Sequence, residues 1–316
     1  PEETFTDANK ALKEAKKIEF PVVLKAVSGG GGRGIRIVED ENSFIPVFEE
    51  ASHEANISFN DPHLYIEKFF KNPKHIEFQI IADTHGNCVH LGERDCSAQR
   101  RKQKVLEETP SPVITDEQRK TIGNKAAKAL KNIKYTNAGT VEFLFEDGKF
   151  FFMEMNTRIQ VEHPITEITT SIDLVKEQIR VAGGEPLSIK QKDVKWNQHA
   201  IECRINAEDP AKNFMPFAGK IENIIFPSGP GIRIDSGIYP GAVISPYYDS
   251  MVAKVIAFDT NREYAIARMI RALNEFEVEG IRTNKMFLLD ILFSEGFLEG
   301  NYSINFIEKK LLKAKT

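Results

Sequence analysis

Phe20-Pro21-Val22-Val23-Leu24-Lys25-Ala26-Val27-Ser28-Gly29-Gly30-Gly31-Gly32-Arg33-Gly34-Ile35-Arg36-Ile37-Val38 decides the fold class. Apolar runs flank the glycines on both sides, so the spacing predicts a glycine loop joining two antiparallel strands. Phosphate loops of the G-x-x-x-x-G-K-[ST] kind and dinucleotide fingerprints open instead onto a helix N-terminus, and neither spacing is present. Four consecutive glycines cost conformational entropy, which a close backbone approach to a ligand would explain. Lys25 ends the first strand, where its ammonium would reach phosphates covered by the backbone N–H groups of the loop.

Working outward, Asp7 caps a helix with Ala8, Ala11, Leu12 and Ala15 on one stripe, and residues 64–70 and 75–80 read as strands. A turn is expected near Asp83 to Asn87. Thr115 and Gln118 form a capping box for a helix bearing Ile122, Ala126, Leu130 and Ile133. Residues 139–156 read as a hairpin turning at Asp147-Gly148, and Asp173 opens a helix that stops at Gly183-Gly184. Helical patterns near 265–276 and 285–293 close the chain, so the class is α+β, with a domain boundary after Gly184.

Lys plus Arg number 42 against 46 Asp plus Glu, a net charge of -4 that supplies no global field for nucleic acid or an anionic membrane. No apolar run approaches the roughly 20 residues needed to cross a bilayer. Cys88, Cys96 and Cys203 lack C-x-x-C spacing and leave an odd count, which argues against a disulfide framework or structural zinc and for a reducing cytoplasm.

Glu142, Glu154 and Asn156 are the metal candidates, because Mg²⁺ takes one or two carboxylates with neutral oxygens and water. Parity tests them: a two-residue turn at Asp147-Gly148 sets Glu142 and Glu154 on opposite faces of a regular hairpin, whereas a three-residue loop sets both beside Asn156. We expect the shared face, through the three-residue loop. The run Asn156-Thr157-Arg158-Ile159-Gln160-Val161-Glu162-His163-Pro164 then supplies a guanidinium fork for a planar oxyanion and a candidate general base in Glu162. His163 has no second His at a zinc spacing and reads as a packing residue. Arg94 to Lys104 form a compact basic run without interleaved aromatics, suited to an oxyanion rather than nucleic acid.

These stretches, together with His199-Ala200-Ile201-Glu202-Cys203-Arg204-Ile205-Asn206 and Tyr247-Tyr248-Asp249-Ser250-Met251, resemble biotin carboxylases of the ATP-grasp superfamily. The resemblance implies an ATP-grasp lid over 1–67, a core over 68–184 and a biotin carboxylase C-terminal domain over 185–316. It implies nucleotide contacts at Lys25, Gly30, Gly31, Gly32, Arg33, Gly34, Glu67, Lys68, Phe70, His75, Gln99 and Leu144, and a Mg²⁺ or Mn²⁺ set of Glu142, Glu154 and Asn156. Lys104, Arg158, Gln160 and Val161 would hold bicarbonate, Glu162 would deprotonate it, and Arg204 would stabilise the biotin enolate. The implied enzyme is an ATP-dependent ligase that carboxylates biotin on a carrier protein, working with carboxyltransferase subunits as a homodimer in acetyl-CoA carboxylase. The alternatives are the carboxylase subunit of pyruvate carboxylase or of another acyl-CoA carboxylase, or a non-catalytic ATP-binding module. Family members commonly read Q-R-R-H-Q-K where Gln99 to Lys104 stand here, so Lys102 departs from the pattern; the family also carries an N-terminal α/β domain ahead of the lid that is not in this sequence, which implies a fragment of a longer subunit.

Overall fold

The computed structural model describes residues 3–28 and 34–312, the Lys310 side chain excepted. Contacts divide the chain into two compact units, Pro1–Lys71 and Asn72–Thr316.

In the first unit, α1 (Ala8–Ile18) starts where the Asp7 carboxylate accepts the backbone N–H groups of Asn9 and Lys10. Strands β1 (Val22–Ala26) and β2 (Ile35–Val38) pair antiparallel with Lys25 opposite Ile35, so the glycine segment joins strands, as its sequence predicts. Gly34 closes the hairpin at φ +76°, and a Cβ there would sit 2.8 Å from the Ala26 Cβ. This close approach is the local reason for glycine. Helix α2 (Glu41–Phe59), which the sequence reading omits, buries Phe44, Phe48, Ala51 and Ala55 against the sheet that β3 (Leu64–Lys68) completes in the order β2-β1-β3.

The second unit is built on one eight-stranded antiparallel sheet. Its strands are β4 (Lys74–Ala82), β5 (Cys88–Arg100), β6 (Gln103–Thr109), β7 (Asn137–Glu146), β8 (Lys149–Asn156), β9 (His199–Asn206), β10 (Ile232–Asp235) and β11 (Met251–Asp259). They lie in the order β10-β11-β9-β6-β5-β4-β7-β8. Helix α3 (Asp116–Asn132) opens with the expected Thr115–Gln118 capping box and packs on one face. Helices α4 (His163–Thr170) and α5 (Leu174–Ala182) follow β8, and Ile165 of α4 packs on Ala200 and Ile256. Helices α6 (Arg262–Glu275) and α7 (Lys285–Phe293) cover the far end, where the largest apolar cluster gathers Cys203, Val255, Met269, Leu273 and Leu288. Among the described residues, no helix is long and apolar enough to cross a membrane.

The run from Arg94 to Lys104, read from the sequence as a compact basic stretch suited to an oxyanion, forms the β5–β6 hairpin, and its strands are mostly buried. The turn residues Arg101 and Lys102, at φ +48° and +66°, and the adjoining Gln103 are its exposed members. This tight two-residue turn with left-handed backbone matches the twist of the paired strands.

Candidate active site

The β7–β8 hairpin corrects one expectation and keeps its outcome. Glu146 pairs with Lys149, and Asp147 and Gly148 have φ +50° and +76°, so the connection is a two-residue turn, not three. In a regular ladder that turn would separate Glu142 from Glu154. A β-bulge intervenes: Phe143 pairs with Phe152, but Glu142 pairs with Glu154, leaving Met153 as the extra residue. Glu142 and Glu154 therefore face each other across the strands, and Asn156, two residues on, shares their face. Glu142 is buried and Glu154 exposed, and all three supply oxygen donors suited to a hard divalent cation.

From Glu142 a continuous network runs inward. Its Oε1 accepts Asn156 Nδ2 at 3.0 Å, Gln160 Nε2 at 3.1 Å and Lys104 Nζ at 3.3 Å, and its Oε2 lies 3.0 Å from His75 Nε2. Lys104 also donates to Glu77 at 2.6 Å and to Glu162 at 2.7 Å. Glu162 sits at the N-terminus of α4, fully buried, and its second oxygen accepts Arg204 Nη2 at 2.9 Å. Arg204, on β9, donates Nε to Glu107 at 2.7 Å. Arg158 donates to Gln160 Oε1 at 2.7 Å and to Asn156 Oδ1 at 3.2 Å, while the Val161 carbonyl accepts Lys254 at 2.9 Å. Gln99 meets His75 Nδ1 at 2.8 Å, and Leu144 lies opposite His75 in the β4–β7 register.

Burial works against ionising Glu142, but the His75 hydrogen bond and the Lys104 charge outweigh it and hold the carboxyl at about 2. Glu77 is likewise penalised by burial and is held at about 2 by Arg94 and Lys104. Burial pulls Lys104 down, yet the carboxylates of Glu77, Glu162 and Glu142 keep its pKa above the ordinary lysine range. The centre is thus a set of fixed ionic charges in a site largely closed to solvent.

Several of its members escape sequence reasoning. Glu77 lies opposite Glu142, and fully buried Arg94 donates to Glu77 at 2.6 Å, to Gln79 at 2.8 Å and to Thr166 at 2.9 Å. The alternation of His75, Glu77 and Gln79 with Ile76, Phe78 and Ile80 carries their signal, but it reads as a half-solvated strand, whereas both faces are buried. Glu202 alternates with Ile201 and Cys203 in the same way, whereas Glu107, beside Glu108, has no signal of that kind.

The remaining expected residues belong to the first unit. Lys25 pairs with Glu67, and Lys68 Nζ donates to the carbonyls of Glu19 at 3.0 Å and Phe20 at 3.2 Å. Phe70 is half-buried. Gly30, Gly31, Gly32 and Arg33 lie outside the described residues.

Residues 2–190 match the family model for the carbamoyl-phosphate synthase L chain, ATP binding domain, and residues 202–309 match the biotin carboxylase C-terminal domain. Biotin carboxylase 1 of Bacillus subtilis is 51% identical over 304 residues, 96% of this chain and 68% of the relative. The chain belongs to the biotin carboxylase family. One of the pyruvate carboxylase subunits of Methanothermobacter thermautotrophicus is also similar, at 50% identity over 96% of this chain and 62% of its own length. Among solved structures, the biotin carboxylase domain dimer of Hydrogenobacter thermophilus 2-oxoglutarate carboxylase, in complex with MgADP, ADP and bicarbonate, superposes with a TM-score of 0.81. It is 46% identical, covering 98% of this chain and 68% of that one. The ATP-grasp architecture expected from the sequence is therefore the fold of this biotin carboxylase chain.

Proposed function

We propose that this chain carries the ATP- and bicarbonate-dependent carboxylation of biotin on a separate carrier protein, the first half-reaction of acetyl-CoA carboxylase. The observation that supports it best is Glu162, a buried carboxylate held between Lys104 and Arg204, with Lys104 reaching on to Glu142. ATP binding alone needs no such carboxylate and no second cation behind it.

In this reading Lys104, Arg158, Gln160 and the Val161 backbone orient bicarbonate, and Glu162 removes its proton as its oxygen attacks the γ-phosphate of ATP. The products are ADP and carboxyphosphate. Carboxyphosphate releases CO₂, and the phosphate left behind takes the proton from the biotin ureido nitrogen. Arg204 offsets the negative charge that develops on the ureido oxygen, and the nitrogen then bonds to CO₂. Glu142, Glu154 and Asn156 would hold Mg²⁺, which when bound neutralises charge on the nucleotide phosphates. Lys25, the glycine segment, Glu67, Lys68 and Phe70 are assigned to nucleotide binding, as are His75, Gln99 and Leu144. We keep the division into lid (1–67), core (68–184) and C-terminal domain (185–316), with carrier protein, carboxyltransferase subunits and a second copy of the chain as partners. The three free cysteines fit a cytoplasmic enzyme.

Pyruvate is the second acceptor to test, because a protein of pyruvate carboxylase is 50% identical to this chain. Phosphate release from ATP in the full-length protein should require bicarbonate and rise with free biotin. ATP binding without turnover would leave only a nucleotide-binding module. Supplying carrier and carboxyltransferase, with acetyl-CoA or pyruvate in turn, then identifies the acceptor.

A further inference from the structure

The β6–β9 register sets Glu107 directly opposite Glu202, and both side chains are fully buried. Both carboxyl oxygens of Glu202 and Oε2 of Glu107 have no hydrogen-bond partner among the described residues. Three orphaned acid oxygens in the sheet interior are too costly to stand as two free carboxylates, and like charges directly opposite each other repel.

The cations around the pair do not resolve this. Arg204, two residues beyond Glu202 on β9, spends its Nε on Glu107 Oε1 and its Nη2 on Glu162 as well as Glu107. Lys254 lies opposite Arg204 on β11, but its ammonium donates to the Val161 carbonyl and pairs with Asp235. Glu162, at the start of α4, adds another negative charge, Lys104 on β6 is committed to Glu77, Glu142 and Glu162, and the neighbouring Cys203 thiol is neutral. The pair thus holds more negative charge than its surroundings offset.

We propose that Glu107 and Glu202 share one proton across the two strands, and that this proton sets how tightly Glu107 grips Arg204. A neutral Glu202 donates to Glu107 Oε2, giving both carboxyls a partner through one hydrogen bond and halving the charge of the pair. Burial pushes Glu107 up to about 7 against the pull of Arg204, and pushes Glu202 well above the carboxylate range with Glu107 adding to it, as proton sharing requires. The pair titrates as a unit. With the proton in place Arg204 is held loosely enough to serve the ureido oxygen; once it is lost, two anions compete with the substrate for the guanidinium. Glu107 and Glu202 are positioning residues, acting through Arg204, and the inference rests on the assignment of Arg204 to biotin.

Two measurements on the full-length enzyme test it. The infrared spectrum near neutral pH should contain a protonated-carboxyl band that shifts in D₂O and disappears in Glu202→Gln. Biotin-dependent carboxylation should fall about tenfold per pH unit above the apparent pKa of the pair. Glu202→Gln, whose amide donates at every pH, should lose that fall while keeping bicarbonate-dependent ATP cleavage. Absence of the band in the unmodified enzyme, or a Glu202→Gln profile that follows the unmodified one, overturns the proposal. Full biotin carboxylation by Arg204→Gln overturns the assignment of Arg204 instead, and leaves the infrared band as an independent reading of the shared proton.

Discussion

Replacing Glu162 by Gln removes one negative charge from between two cations while keeping the shape of the side chain. Lys104 keeps Glu77 at 2.6 Å and Glu142 at 3.3 Å, and Arg204 keeps Glu107 at 2.7 Å, so neither cation is stranded. Stranding a buried charge costs about 3–5 kcal/mol. With partners retained, the loss should be nearer the 1.5–3 kcal/mol of a charged hydrogen bond. For a unit of this size that lowers the melting temperature by roughly 2–4 °C per kcal/mol, leaving a folded protein at room temperature. Loss of a general base, in contrast, slows its step by about 10² to 10⁴, or about 2.7–5.4 kcal/mol of barrier. The two effects separate cleanly. Bicarbonate-dependent phosphate release at saturating ATP and bicarbonate, with a thermal melt of the same sample, should show a folded enzyme slowed at least a hundredfold. Cleavage retained to within about tenfold would remove Glu162 from the base role.

Arg204→Gln should keep more of that cleavage and lose biotin carboxylation by roughly 10² to 10³, as for a lost oxyanion donor; equal losses in both assays would contradict the division of labour. Deleting Met153 takes away the bulge yet leaves Glu142 opposite Glu154, so Mg²⁺-dependent ATP cleavage should survive, whereas deleting Phe152 and Met153 together brings Met155 opposite Glu142 and should abolish it. A Mg²⁺ titration of the cleavage rate reads both variants. The fully buried Glu77 and Glu108 are each held at about 2, below their unfolded value of 4.5. A depressed carboxyl contributes stability present above the unfolded pKa and lost as pH falls through the folded one, so roughly 3 kcal/mol per group should disappear between about pH 4.5 and 2. Urea midpoints across that range check it, and Glu108→Gln should flatten part of the slope.

The sequence makes local structure legible where one residue's chemistry decides it. Asp7, Asp173 and the Thr115–Gln118 pair mark helix starts through their own side chains, and each opens a helix. The glycine segment implies a strand-to-strand connection for the same reason. What is not legible is depth. The burial of Arg94 and Lys104 leaves no mark in the sequence because the carboxylates that receive them, Glu77, Glu142 and Glu162, lie 17 to 58 positions away and meet them only when the sheet forms. The ligand face of the hairpin follows from parity, but its route does not: a bulge leaves no single-residue mark, and Met153 looks like any other strand residue.

That bulge lies where two demands on β8 disagree. Near the tip, Phe150 must meet Phe78, Phe143 and Phe145, which fixes the phase of Lys149 to Phe152. Near the base, Glu154 and Asn156 must present oxygens beside Glu142, which fixes the opposite phase. Moving the surplus residue to the turn would satisfy the base alone and turn the phenylalanines to the wrong side, so Met153 works as a slip joint between an apolar register and a ligand register. Substitutions that repack the tip are absorbed there before they reach the carboxylates. The aromatic cluster can therefore drift in sequence while the spacing of the acidic pair stays fixed.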